Sequence, residues 1–288
     1  MKRNFMQLLK ARQDAGYHVC VGLDPVLDKI PKHIKAQLVW WDRIVQFCCQ
    51  IVDSTKDIVC AYKPNSAFFE AHGEDGFRAL KTIIGHIRMT TSGVPIIYDA
   101  KRGDIGNTND GYVKGAFDIL GADAITVHPY MGKKSLQPFL DQKDKGIFVL
   151  CRTSNPESDE FQRLPVKLDI GDRCALGLGH EAVLPLYQYV AYKVSRKWNG
   201  NGNCCLVVGA TYPGELEIVR RMIGPEMQIL IPGVGAQGGD LEASAKASGP
   251  SSLFNLSRSV LYASSGEDFA EAARKEVMSK NRAIQACL

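Results

Sequence analysis

The chain has 288 residues, 45% hydrophobic and 23% charged, a globular composition that excludes disordered, collagen-like and disulfide-scaffold classes. A chain of this length suits two ordinary domains or one large α/β barrel. Its net charge of +4, from 35 Lys+Arg against 31 Asp+Glu, is scattered without blocks of like charge, so nucleic-acid binding gains no support.

In chain order, a charged N-terminal helix precedes a β-branched apolar run at 18–25 that predicts the first strand. Further runs at 58–64, 95–104, 122–129, 146–155, 204–213, 229–239 and 252–259 predict seven more. Helices fall between them. Trp40, Ile44, Phe47, Cys48 and Ile51 recur at helical spacing, as do Phe77, Leu80, Ile83, Ile84 and Ile87. Val113, Ala116, Phe117 and Leu120 share a face before Gly121, and the segment from Pro213 to Met222 has Pro and Glu at its start and Gly224 after its end. Residues 267–288 read as a last helix, and the two terminal helices are expected to close the ends of the fold.

Continuous apolar runs suit parallel strands buried on both faces. Eight of them alternating with helices predict an α/β fold, a single (β/α)8 TIM barrel domain over residues 1–288. An open doubly wound sheet is the alternative, but no Gly-x-Gly-x-x-Gly or P-loop stands at a strand-to-helix turn. The polar, Gly/Pro-rich stretch 155–179, between strands five and six, is too long for an ordinary connection. It reads as an extended loop on the active-site face, placed to act as a lid.

No stretch approaches the ~18 apolar residues of a membrane span, and the charges in residues 1–14 occupy the place of a signal peptide's apolar core. Nine cysteines, with adjacent pairs Cys48-Cys49 and Cys204-Cys205 and no Cys-x-x-Cys, fit buried thiols in a reducing cytoplasm. The dispersed histidines show no metal-ligand spacing, and His128 reads as structural. Trp40-Trp41 reads as core packing rather than a ligand platform.

Strand ends carry the chemistry: Asp24; Lys63 and Asn65; Asp99, Lys101 and Asp104; Thr153 and Ser154; Gln237; Arg258. In a barrel these ends converge on one face. Any one alone is as readily an exposed polar residue without a role, but six ends behaving alike argue for a site. Asp99 and Lys101, two apart, point to one side, and the turn at Gly103 redirects Asp104. The resulting carboxylate–ammonium–carboxylate array, extended by Lys63, is either a structural ion network or a proton-delivering site for a carbanion. Since buried pairs offer little net stability over apolar packing, chemistry is the better reading. The glycine-rich loop 232–239 after strand seven and Ser257-Arg258 after strand eight together suggest a phosphate grip.

These residues resemble a known family. The segments LDP (23–25), KPNSAFFE (63–70), DAKRGDIGNT (99–108), RTSNP (152–156), PGVGAQGG (232–239) and SR (257–258) are similar, in order, to orotidine 5'-monophosphate decarboxylase, in the longer branch found in bacteria and protozoan parasites. The resemblance implies a barrel homodimer with shared active sites that converts orotidine 5'-monophosphate (OMP) to UMP and CO2 without metal or organic cofactor. It implies that Lys101 protonates C6, that Asp99 lies by the scissile carboxylate, and that Lys63 and Asp104 complete the array. Asp104, Ile105 and Thr108 would reach the partner subunit's site. Asp24 and Asn65 would face the ribose, Ser154 with Thr153 the pyrimidine amide edge, and Gln237, Ser257 and Arg258 the phosphate end. Association with orotate phosphoribosyltransferase is a further implication. Two rivals stand beside this reading: a Mg2+-dependent sugar-phosphate lyase sharing Asp-x-Lys-x-x-Asp, and a catalytically silent nucleotide-binding barrel.

Overall fold

The computed structural model describes residues 3–37, 39–235 and 238–288. In chain order its strands are β1 (Val19–Leu23), β2 (Ala61–Pro64), β3 (Ile97–Arg102), β4 (Ala124–Val127), β5 (Gly146–Arg152), β6 (Pro165–Lys167), β7 (Val183–Pro185), β8 (Cys204–Val208), β9 (Ile229–Ile231) and β10 (Ser252–Leu256). Eight form one parallel sheet in the order β2-β1-β10-β9-β8-β5-β4-β3. Its two edges meet. Tyr62 bridges Ile96 and Asn65 bridges Asp99, with Tyr62 N donating to Pro95 O at 3.1 Å and Ser66 N to Asp99 O at 3.0 Å. The sheet thus closes into a (β/α)8 barrel, and the open-sheet alternative is set aside.

The apolar runs are continuous because each strand is covered on both sides. Val19, Val21, Ile125 and Val149 face the surrounding helices, while Cys20, Ala61, Ile97, Ala124, Phe148, Cys205 and Leu253 fill the barrel interior. The helix Phe5–Asp14, N-capped by Asn4, drives Phe5 and Leu9 into that interior. Phe5 meets Phe148 edge-on at 5.5 Å, and a Cβ on Gly146 would stand 2.3 Å from the Phe5 ring, so this floor requires glycine there. The C-terminal helix Phe269–Gln285 does not cap the other end. It lies in the outer ring beside the helix Asp42–Thr55, stacking Phe269 on Phe47 at 5.3 Å. The Asn281 amide there donates to Ile58 O and accepts from His18 N and Val19 N.

Between β5 and β8 the chain makes more structure than its polar composition suggested. The antiparallel ribbon β6–β7 frames the helix Ile170–Leu176, and the helix Leu186–Lys193 returns to the barrel wall. Among the described residues no helix is long and apolar enough to cross a membrane.

Candidate active site

Side chains alternate across a strand, so the interior positions continue upward by steps of two. Cys20 leads to Gly22 and Asp24, Ala61 to Lys63 and Asn65, Ile97 to Asp99, Ala124 to Thr126, and Leu253 to Asn255 and Ser257. On the other half of the barrel the same step leads to Leu150, Val207 and Leu230. Asp24, Lys63, Asn65, Asp99, Thr126, Asn255 and Ser257, with Leu150, Val207 and Leu230, line a cavity of about 810 Å3 at the C-terminal ends of the strands. Its described lining carries four cations, Lys29, Lys63, Lys101 and Arg258, against the carboxylates of Asp24 and Asp99. That balance favours an anionic ligand.

Asp99 is the centre of the charge array. Its Oδ2 accepts from Lys63 Nζ at 2.6 Å; its Oδ1 accepts from Lys101 Nζ at 2.7 Å and from Thr126 Oγ1 at 2.8 Å. Burial opposes the carboxylate form, but Lys63 and Lys101 overcome it and hold Asp99 well below the usual carboxylate range. Burial likewise opposes the Lys63 ammonium, yet Asp99 and Asp24 raise it above the ordinary lysine value. Lys63 is 3% exposed, whereas half of the Lys101 side chain is open to the cavity.

Lys101 reaches Asp99 by a bulge rather than by regular alternation. Its φ is +46° where the β3–β4 register shifts, and its N–H donates to Thr126 Oγ1 at 2.9 Å. A left-handed lysine costs about 1–2 kcal/mol, which this bond helps offset. Asp104 is not joined to the array within the chain. Its Oδ1 accepts from Ile105 N at 2.6 Å, and Asn109 grips its backbone N–H and carbonyl. Asp104, Ile105 and Thr108 lie outside the cavity; Ile105 is 56% exposed. His128 accounts for the turn, with its N–H donating to Arg102 O and Nε2 at 2.8 Å from Gly103 O.

The remaining predicted residues divide by how they are held. Asn65 lines the cavity and accepts from Ala67 N at 3.1 Å. Thr153 and Ser154 line the opposite wall, where Gln162 grips Thr153 through both its N–H and its hydroxyl. Arg258 stands exposed at the rim beside Pro232 and Gly233, without an ion pair among the described residues. The loop after β9 folds back through a Val234–Gly239 bridge, and Gln237 lies outside the described residues.

Sequence reasoning passed over Thr126, Gln162, Asn255 and the buried Arg152. Arg152 is 1% exposed and binds Glu215, Asp159 and Ser158, with Tyr212 4.5 Å beneath the guanidinium. It ties the segment after β5 to the barrel wall. Thr126 and Asn255 were legible in principle as polar residues on inward-facing strand positions. Burial pushes the Cys20 and Cys204 thiols up to about 12, which leaves them unreactive. No group of three His, Cys, Asp or Glu side chains could hold a metal among the described residues.

The model of the orotidine 5'-phosphate decarboxylase / HUMPS family matches residues 17–275. The chain belongs to this family. The orotidine 5'-phosphate decarboxylase of Herpetosiphon aurantiacus is 49% identical over 272 residues, covering 94% of each chain. Among solved structures, Leishmania donovani OMP decarboxylase superposes with a TM-score of 0.77 at 38% identity, covering 99% of this chain and 100% of that one. Leishmania donovani UMP synthase gives 0.81 at 39% identity, and this chain spans 57% of its length. Decarboxylation of OMP to UMP, the family's cofactor-independent lyase reaction in pyrimidine nucleotide synthesis, is the function of an orotidine 5'-phosphate decarboxylase chain such as this.

Proposed function

We propose that residues 1–288 act as one barrel domain that decarboxylates OMP through the Lys63–Asp99–Lys101 array. The observation carrying this reading is one buried carboxylate bridging two ammonium groups at the head of the cavity. The C6–carboxylate bond breaks, CO2 leaves, and its electron pair stays on C6. Lys101, half exposed and aimed into the cavity, then delivers its proton to C6 and is recharged from water. Lys63 and Thr126 hold Asp99 in place, so the field at C6 is organised before substrate arrives. Arg258 takes the phosphate, with Gln237 and Ser257 beside it; Thr153 and Ser154 read the pyrimidine edge, and Asp24 and Asn65 face the ribose. Binding energy from the phosphate end thereby acts on the reacting carbon.

The same reading makes the protein a cytoplasmic homodimer whose Asp104, Ile105 and Thr108 complete the partner's site. Supporting this, Ile105 at 56%, Tyr130 at 89% and Met131 at 41% exposure leave large hydrophobic side chains open in the segments that follow β3 and β4. Association with orotate phosphoribosyltransferase belongs to the proposal too, prompted by the UMP synthase likeness. Mixing Lys101→Ala with Asp104→Ala tests the shared site. Hybrid dimers should regain activity that neither parent has; no recovery in verified hybrids would overturn it.

A further inference from the structure

The turn after β3 is held by side chains rather than by a sheet. The β3–β4 pairing ends where His128 N donates to Arg102 O at 3.0 Å. Two side chains then take over. His128 Nε2 lies 2.8 Å from Gly103 O. Asn109 grips the next residue on both sides: its Oδ1 accepts from Asp104 N at 2.9 Å, and its Nδ2 donates to Asp104 O at 2.6 Å. The second Nδ2 proton goes to Ser135 O at 2.7 Å, on the helix Gly132–Leu140 that follows β4. One amide thus gives Asp104 the two bonds that a neighbouring strand would give, and ties it to the next βα unit.

Asn109 is an unusual residue for its place. Helices dock through an apolar stripe, and asparagine is a poor helix former. Yet Asn109, 0% exposed, is the one buried residue of the helix Gly106–Val113; Tyr112 and Val113 pack only partly buried against the core. Its amide bonds leave the helix for Asp104 and Ser135. The Asp104 carboxylate is treated in the opposite way. Among the described residues it has no side-chain partner and accepts only from Ile105 N, at 2.6 Å. A firmly gripped backbone carrying a carboxylate with no side-chain partner in its own chain is suited to present that carboxylate to another subunit.

We infer that Asn109 is a positioning residue that acts across the dimer: by fixing the Asp104 backbone in its own chain, it sets the Asp104 carboxylate in the partner's Lys63–Asp99–Lys101 array. This rests on the shared-site reading and adds to it the residue that controls the shared group, outside every segment that carries the family resemblance. Without the amide, the Asp104 N–H and two carbonyls lose their partners and the loop is free to shift. A displacement of about 1 Å at a reacting site can cost about 100-fold in rate.

The test assays OMP turnover by hybrid dimers assembled from differently tagged subunits, with thermal unfolding and UMP binding of each parent. Asn109→Ala alone should lose about 10- to 100-fold in kcat/KM. Hybrids of Asn109→Ala with Lys101→Ala should regain about half of the wild-type kcat per dimer, because one of the two sites joins an intact Lys101 to a well-held Asp104. Hybrids of Asn109→Ala with Asp104→Ala should regain nothing, since each site then receives a damaged Asp104. A residue that merely supports its own barrel would harm the site of its own subunit and reverse this pattern, with recovery beside Asp104→Ala and none beside Lys101→Ala. That reversal would overturn the inference, as would an unimpaired Asn109→Ala homodimer. Hybrids of Lys101→Ala with Asp104→Ala are the control: no recovery there defeats the shared-site reading and this inference with it. Recovery in the control but not beside Lys101→Ala defeats this inference alone. Should Asn109→Ala fail to fold, hydrogen exchange of the Asp104 amide in the wild type decides. Protection like that of the β3 amides supports the grip, and exchange as fast as an open loop overturns it.

Discussion

Replacing Asp99 by Asn removes the one negative charge between two ammonium groups and keeps the side-chain volume. At an effective dielectric of about 20, a unit charge pair near 2.6 Å attracts by about 6 kcal/mol before desolvation is subtracted. Lys101 is half exposed and screened, so its pair adds little to stability. Lys63 is 3% exposed and would be left as a buried ammonium beside Lys101; breaking a buried pair in this way costs about 3–5 kcal/mol. For a chain of 288 residues that lowers Tm by about 5–8 °C.

The pH dependence gives the sharper sign. In the wild type the lowered Asp99 contributes stability above its unfolded value of about 3.9, lost as pH falls through the folded value. The raised Lys63 contributes stability below about 10.4, lost as pH rises through its folded value. Between those limits neither group tilts the profile. In Asp99→Asn, burial without its main counter-charge pushes Lys63 down; the unfolded chain then binds more protons, and stability should rise with pH across the neutral and alkaline range. Urea unfolding by circular dichroism at several pH values reads both effects. A variant as stable as the wild type, with a flat profile, would refute the reasoning.

Arg258→Ala should lower kcat/KM for OMP by about 10- to 150-fold, chiefly through KM, since a charge-assisted phosphate bond is lost from an exposed side chain. An unchanged KM in steady-state assays would count against the phosphate grip. Arg152→Met should destabilise by about 1–3 kcal/mol, because Glu215 and Asp159 lose their buried cation and keep only the exposed Arg163. It should also expose residues 155–163 to limited proteolysis, and an unaltered cleavage pattern would contradict the anchoring role. Phe5→Ala should cost about 3–5 kcal/mol in chemical denaturation by emptying the barrel floor, with little effect on KM.

The barrel was legible because parallel strands covered on both faces read as unbroken apolar runs. The charged members of the site were legible because ionic residues at strand ends have few structural reasons to be there. Thr126 and Asn255 escaped notice for the opposite reason: short neutral polar groups in apolar runs stand out only once register shows which face points inward. Arg152 depends on Asp159 and Glu215, and nothing local to position 152 reveals such partners. The ribbon β6–β7 is built from three-residue strands inside a polar stretch, below the length at which alternation carries a signal. Lys101 shows how local geometry overrides a simple rule. Its ammonium meets Asp99 as two-residue spacing predicts, but through a left-handed bulge held by Thr126.

The central claim is that Lys101 performs the proton transfer in a cofactor-independent decarboxylation. It is tested most directly by following OMP absorbance with wild type and Lys101→Ala in excess EDTA, with UMP binding measured in parallel. Rapid loss of the substrate band in the wild type alone, with UMP still bound by the folded variant, is the predicted result. Undiminished turnover by Lys101→Ala, or wild-type activity that vanishes in EDTA and returns with Mg2+, would contradict it.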